Sequence, residues 1–104
     1  MKTVRYVYLL SLRDRKRHEH VIDRGQVLQF VVQYETLIAG AWQPVIRYDT
    51  AHRFPHIDRI RADGATEKIS LLTRDLGEAL TFADQDIDDN WEHYKQAYLL
   101  GRQS

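Results

Sequence analysis

The chain has 104 residues, a length typical of one domain, with 43% hydrophobic residues, 29% charged residues and no cysteine. Without cysteine, disulfides, thiolate metal sites and a thiol nucleophile are excluded. Every apolar run is far shorter than the roughly 20 residues that a membrane span needs. The N-terminal residues 1–5 contain no signal-peptide core. We therefore expect a cytoplasmic protein that makes no contact with a membrane.

The net charge is zero, but the basic residues are concentrated near the N-terminus. Residues 1–24 carry seven Lys or Arg and three Asp or Glu. Residues 13–20 include no apolar side chain, so residues 13–24 are predicted to form a charged loop. Such a segment is most often a solvated surface, although it can also contact nucleic acid or an acidic partner. The candidate nucleic-acid contacts in it are Arg13, Arg15, Lys16 and Arg17.

Alternation of apolar and polar residues predicts a series of short antiparallel strands. The predicted strands are residues 4–12, 27–38, 42–49, 56–61 and 66–72. Ala39-Gly40-Ala41 and Asp63-Gly64 are typical of the turns between them. In the strand 42–49, Trp42, Ile46 and Tyr48 are expected to share one face, and Pro44 indicates an edge position or a bulge.

The C-terminal part of the chain predicts one amphipathic helix over residues 75–99. Asp75 and Glu78 have the spacing of a capping box, and Gly101 is a plausible stop. The apolar stripe of this helix is Leu76, Leu80, Ala83, Ile87, Trp91, Tyr94 and Tyr98. The predicted fold class is therefore α+β. An antiparallel β-meander of four to five strands packs against one long C-terminal helix, and residues 1–104 form a single domain.

The segment 47–58 holds the residues best suited to chemistry. Arg47 and Asp49 are two residues apart and share a face of their strand, and so do His56 and Asp58. If the two strands pair through the connection 50–55, these four side chains converge. His52 in the connection is then placed to approach them.

Three interpretations of this segment remain open. In the first, the histidines and one or two carboxylates bind a divalent metal, but their spacing matches no standard metal motif. In the second, a histidine is the acid or base in phosphodiester cleavage, an arginine holds the phosphate and an aspartate orients the histidine. In the third, the charges only pair with one another, as they usually do in short polar strands. We expect no cofactor and no metal.

From Tyr34 onward, about two-thirds of the chain resembles a family of short, uncharacterised prokaryotic proteins. The resemblance rests on Arg-Tyr-Asp-x-x-His-x-x-Pro-His-x-Asp at residues 47–58, on residues 34–38 and 42–45, and on 78–83 and 90–91 of the helix. A looser resemblance is to the TumE-type toxins of bacterial toxin–antitoxin pairs. It covers Arg47 to Asp49, His52 and Pro55-His56, whereas Thr50 replaces the usual Asn and Asp58 stands where a further His is typical.

The toxin resemblance implies a small cytoplasmic protein neutralised by an antitoxin-like partner. Together with the cluster, it leads to the hypothesis of a toxin-like protein that acts on RNA. The residues that would carry the activity are Arg47, Asp49, His52, His56 and Asp58. The alternative is a non-catalytic interaction module or a homo-oligomeric structural protein, with a homodimer as its simplest form.

Overall fold

The structure, a computed structural model, describes residues 1–50, 55–71 and 75–103, with side chains to residue 101. Six strands form one antiparallel sheet in the order of the chain. The strands are β1 (Lys2–Ser11), β2 (Asp14–Asp23), β3 (Gln26–Ile38), β4 (Ala41–Asp49), β5 (His56–Ile60) and β6 (Thr66–Ser70). A single helix follows, α1 (Leu76–Gln103). The α+β class is confirmed, but the sheet has six strands instead of the predicted four to five.

The additional strand is β2, which lies where a charged loop was predicted for residues 13–24. It pairs with both β1 and β3 along its length. Tight turns favour this arrangement, because Arg24 and Gly25 both have positive φ, as a two-residue hairpin requires. The loop prediction was wrong because a polar segment can form a strand when the charged side chains on both of its faces are paired. Arg15 pairs with Glu35 on one face of the sheet, and Lys16 pairs with Asp88 on the other.

The helix begins where the sequence predicts and ends later. Asp75 Oδ1 accepts hydrogen bonds from the backbone N–H of Gly77 (2.8 Å) and Glu78 (3.1 Å), which is the geometry of an N-cap. The helix then continues past Gly101 to Gln103, so the predicted stop was wrong. A glycine with helical φ costs a helix only about 1 kcal/mol and does not by itself end it.

The core lies between the helix and one face of the sheet, here called the helix face. Most of the predicted stripe supplies the helix side of this core, since Leu80, Ala83, Ile87 and Tyr98 are buried in it and Trp91 and Tyr94 pack against it. Leu76 is not among the core residues, whereas Ala79, which the stripe did not include, is buried there. The sheet contributes mainly β3 and β4, which turn large side chains toward the helix. The most deeply buried of these are Phe30, Val32, Tyr34, Ile46 and Tyr48. In the described part of the chain, no helix lies on the opposite face of the sheet, which is here called the open face.

A bulge in β4 changes which residues reach the open face. Tyr34 pairs with Ile46, but the register then shifts so that Glu35 pairs with Pro44 and Leu37 with Trp42. The interpretation of Pro44 as a bulge residue is confirmed. Because the bulge adds one residue, Trp42 lies on the open face and not beside Ile46, which corrects the predicted alternation.

Candidate functional site on the open face

The pairing of β4 with β5 brings four predicted site residues together. Arg47 lies directly opposite Asp58, and Asp49 lies directly opposite His56. All four are on the open face, because the residues that alternate with them are buried in the core. The predicted convergence is therefore present in the structure. His52, the fifth predicted site residue, lies outside the described residues.

Asp49, His56 and Asp58 form a compact group, here called the acid–histidine cluster. His56 Nε2 is 2.7 Å from Asp49 Oδ1 and 4.0 Å from Asp58 Oδ1. All three side chains are largely buried. One potential ligand atom from each lies within 4.8 Å of the other two. Such a group can hold either a proton or a cation between its members.

Arg47 is held by a hydrogen-bonded pair of residues that the sequence did not predict for the site, Gln33 and Glu35. Its Nε donates to Gln33 Oε1 at 2.6 Å, and Gln33 Nε2 donates to Glu35 Oε2 at 2.5 Å. Both partners are buried polar residues on the open face of β3. No ion pair joins Arg47 and Asp58 among the described residues, although the two residues face each other across the strands. The one signal for Gln33 and Glu35 was their polar alternation in an otherwise apolar strand.

The four candidate nucleic-acid contacts, three in β2 and one in the turn before it, point in different directions. Arg15 Nε is 2.6 Å from Glu35 Oε1, and the Arg15 guanidinium stacks on Trp42 at 4.1 Å. Arg17 makes a longer contact of 3.4 Å with Glu35 and keeps 58% of its side chain exposed. Arg13 is exposed at the β1–β2 turn, whereas Lys16 is buried on the helix face. Lys16 is therefore not placed to contact a phosphate on the open face.

A groove of about 570 Å³ runs across the open face and ends at Arg47 and Asp49. Its volume is in the range of ordinary ligand sites. Charged and polar side chains make up most of its lining, and Val7 and Val31 are the apolar ones on this face. Its lining residues on the open face are Arg5, Val7, Arg17, Glu19, Val31, Gln33, Arg47 and Asp49.

The helix face carries a second group of charges, which joins β2 to the helix. Lys16 Nζ is 2.7 Å from Asp88 Oδ1 and 3.3 Å from Asp84 Oδ1. His18 Nδ1 lies 3.0 Å from Asp84 Oδ1, and His18 Nε2 lies 2.6 Å from the Nδ1 atom of His20. The expectation of a solvated surface for the charged segment was wrong at His18, which is buried. This group fixes the helix on the helix face of the sheet.

Acid is expected to weaken folding through Asp84. Burial alone would raise the pKa of this carboxyl, but the hydrogen bond and charge of His18 and the charge of Lys16 outweigh burial and lower the pKa. A lowered folded-state pKa gives stability that is complete above the unfolded-state pKa, about 4, and is lost as the pH falls below it. The melting temperature should therefore fall steeply below pH 4, and less steeply in Asp84→Asn. Parallel pH profiles for the two proteins would contradict this.

The fold and the site define a class: a small α+β protein with a polar cluster on the open face of an antiparallel meander. Within this class, the chain belongs to the family described as Domain of unknown function (DUF7718), whose model matches residues 1–104. The expectation of an uncharacterised family is thereby confirmed. No curated protein and no solved structure matches the chain. In the described part of the chain, no helix combines the length and the apolarity needed to cross a bilayer.

Proposed function

We propose that the protein is a small toxin-like protein that acts on RNA at the open face of its sheet and is restrained by an antitoxin-like partner. The observation that carries the proposal is the contact of 2.7 Å between His56 Nε2 and Asp49 Oδ1 at the end of the groove. A histidine held by a carboxylate is a common device for moving a proton to or from a substrate. The resemblance of residues 47–49 and 55–56 to TumE-type toxins supports the same function.

Arg47 is the residue best placed to contact a phosphate of the substrate. Its Nε is used by Gln33, which holds the guanidinium in place at the end of the groove. The two terminal nitrogens have no hydrogen bond among the described residues, so their N–H groups can donate to a phosphate in the bidentate manner that arginine favours. Arg17 and Arg5 line the same groove, where they supply further positive charge to the phosphates of a bound RNA strand.

The reaction class that fits these groups is internal transesterification of RNA. The 2′-oxygen forms a bond to the neighbouring phosphorus, and the bond from phosphorus to the 5′-oxygen breaks. One proton leaves the 2′-hydroxyl and one is delivered to the departing 5′-oxygen. In this proposal, the Asp49–His56 pair accepts the first proton, either directly or through a water that it holds, and the protonated histidine then delivers a proton to the 5′-oxygen. Arg47 stabilises the additional negative charge on the phosphate.

The matched pair of variants His56→Ala and His93→Ala tests this proposal. His93 is an exposed histidine on the helix, so its loss controls for the simple removal of an imidazole. In His56→Ala, RNA cleavage should fall by roughly 10²–10⁴-fold, as expected for loss of an acid–base group. In His93→Ala, cleavage should be unchanged. Both rates are measured on a labelled RNA at low salt, beside thermal unfolding of each variant.

Two outcomes would overturn the proposal. One is a wild-type protein that neither binds nor cleaves RNA at low salt, where phosphate contacts are strongest. The other is a His56→Ala protein that keeps the wild-type rate. In cells, expression of the wild type should arrest growth, and expression of His56→Ala should not.

The edge of the sheet favours a second candidate function. β1 is an edge strand, and Val7, Leu9 and Leu12, in and just after it, are 55%, 62% and 91% exposed. An edge strand presents unpaired backbone groups to other chains, and here it also presents apolar side chains. The second candidate is therefore a non-catalytic interaction module in which β1 pairs with a partner protein or with a second copy in a homodimer. A stable dimer without RNA activity would favour it over the first.

A further inference from the structure

Asp58 is the most unusual member of the acid–histidine cluster. The residue is only 6% exposed, and its Oδ1 atom has no hydrogen-bond partner in the part of the chain that the structure describes. Arg47, its neighbour across the strands, directs its Nε to Gln33 instead. A buried carboxylate oxygen without a donor is costly, and native structures rarely keep one without a function. Among the described residues, this buried acceptor therefore has no hydrogen-bond donor, and its contact with the imidazole of His56 is long, at 4.0 Å.

The unpartnered oxygen faces the other two members of the cluster. His56 Nε2 lies 4.0 Å from it and 2.7 Å from Asp49 Oδ1. A metal ion with bonds of about 2.0–2.2 Å to nitrogen and oxygen holds neighbouring ligand atoms roughly 3–3.5 Å apart. The two observed separations lie on either side of that value. The third separation, between the carboxylates of Asp49 and Asp58, is at most 4.8 Å, so side-chain shifts of about 1 Å would bring the three ligand atoms around one ion.

We propose that Asp49 Oδ1, His56 Nε2 and Asp58 Oδ1 bind one divalent transition-metal ion. One imidazole and two carboxylates suit Mn²⁺, Fe²⁺ or Zn²⁺, whereas Mg²⁺ and Ca²⁺ favour sites made of oxygen alone. The ion supplies a positive charge at bonding distance from the Asp58 oxygen, which has no hydrogen-bond donor among the described residues. Three protein ligands leave coordination positions for water or for a phosphate oxygen, and Asp49 lies at the end of the groove from which such a ligand would come.

This proposal replaces the expectation of no metal that the sequence gives. The sequence spacing of the three residues matches no metal motif because the ligands lie on two paired strands. Their proximity depends on the register of β4 and β5. Asp49 and His56 belong to both the metal site and the proposed RNA site, but cation binding can be measured without any RNA activity.

The test measures thermal unfolding of protein stripped with EDTA and titrated with MnCl₂, ZnCl₂ or MgCl₂. We expect Mn²⁺ or Zn²⁺ to raise the melting temperature by roughly 10 °C at a hundredfold excess over Kd, with one ion per chain by calorimetry, and Mg²⁺ to raise it much less. Asp58→Asn should abolish the rise. Because asparagine has the same shape and no charge, this variant should melt without metal at the wild-type temperature or above it.

Two control variants separate this site from adventitious binding by histidines. Asp84→Asn alters the other carboxylate–histidine contact, on the helix face, and His93→Ala removes an exposed imidazole. Both should keep the metal-dependent rise. The proposal is overturned if neither Mn²⁺ nor Zn²⁺ raises the melting temperature, or if the rise persists in both Asp58→Asn and His56→Ala.

The same titration distinguishes the cation site from the RNA proposal. A metal-dependent rise without RNA cleavage in the presence of that metal supports the site and removes the proposed function. Cleavage that persists in EDTA, with no rise on adding metal, supports the proposed function and removes the site. Cleavage that requires Mn²⁺ or Zn²⁺ and disappears in Asp58→Asn supports both.

Discussion

Replacing Asp14 by alanine is expected to cost about 3 kcal/mol of the free energy of unfolding, at the lower end for breaking a buried ion pair. Asp14 is 1% exposed and accepts hydrogen bonds from Tyr34 Oη and Ser11 Oγ, each at 2.6 Å. Lys95 Nζ lies 3.0 Å from it. The variant leaves the hydroxyl of Tyr34 buried without its acceptor, whereas Lys95 is partly exposed and can still reach water.

Glu19→Ala is the matched control for Asp14→Ala, because both change an acidic residue of β2. Glu19 pairs with Arg5 at 3.0 Å, but the two side chains are 46% and 71% exposed. An exposed pair contributes about 0–1 kcal/mol, so this variant should unfold near the wild-type urea midpoint. If both variants lost the same free energy of unfolding, the stabilising effect of an ion pair in this protein would not depend on its burial, and the prediction would be wrong. The measurement is the change in urea midpoint at pH 7.

Replacing Ile87 by alanine is expected to cost about 2–5 kcal/mol, as for other large-to-small changes in a core. Ile87 is fully buried in the middle of the helix, on the same buried side as Ala83 and Ala79. Because those neighbours are already small, the helix has little side-chain volume with which to fill the cavity. Such a loss is a large part of the 5–15 kcal/mol that stabilises an ordinary domain.

Leu100→Ala provides the control on the same helix. Leu100 is 67% exposed, so its truncation leaves no cavity, and the expected change is within about 0.5 kcal/mol. Urea titrations of the two variants measure the difference. If Ile87→Ala unfolded at the wild-type midpoint, the packing of the helix on the sheet described above would be wrong.

The candidate site could be predicted from the sequence only where its residues are close in the chain. Arg47, Asp49, His56 and Asp58 converge because a short connection joins two adjacent strands, and residues two apart share a face. Gln33 and Glu35 were missed because the β3–β4 register brings Gln33 beside Arg47. The unpartnered oxygen of Asp58 could not be predicted either, since it depends on which of several possible donors Arg47 contacts.

Local patterns were sufficient for the helix and for β3, because each buries one face and the period of apolar residues marks that face. The formation of β2, in contrast, depends on tertiary contacts. Its alternate side chains are charged, and their partners on the helix face are Asp84, Asp88 and Lys95, more than sixty positions later in the chain. Lys16 can be buried because the carboxylates of Asp84 and Asp88 contact its ammonium group. The sequence around Lys16 gives no sign of these distant partners. The bulge that turns Trp42 to the open face likewise exists only in the pairing of two strands.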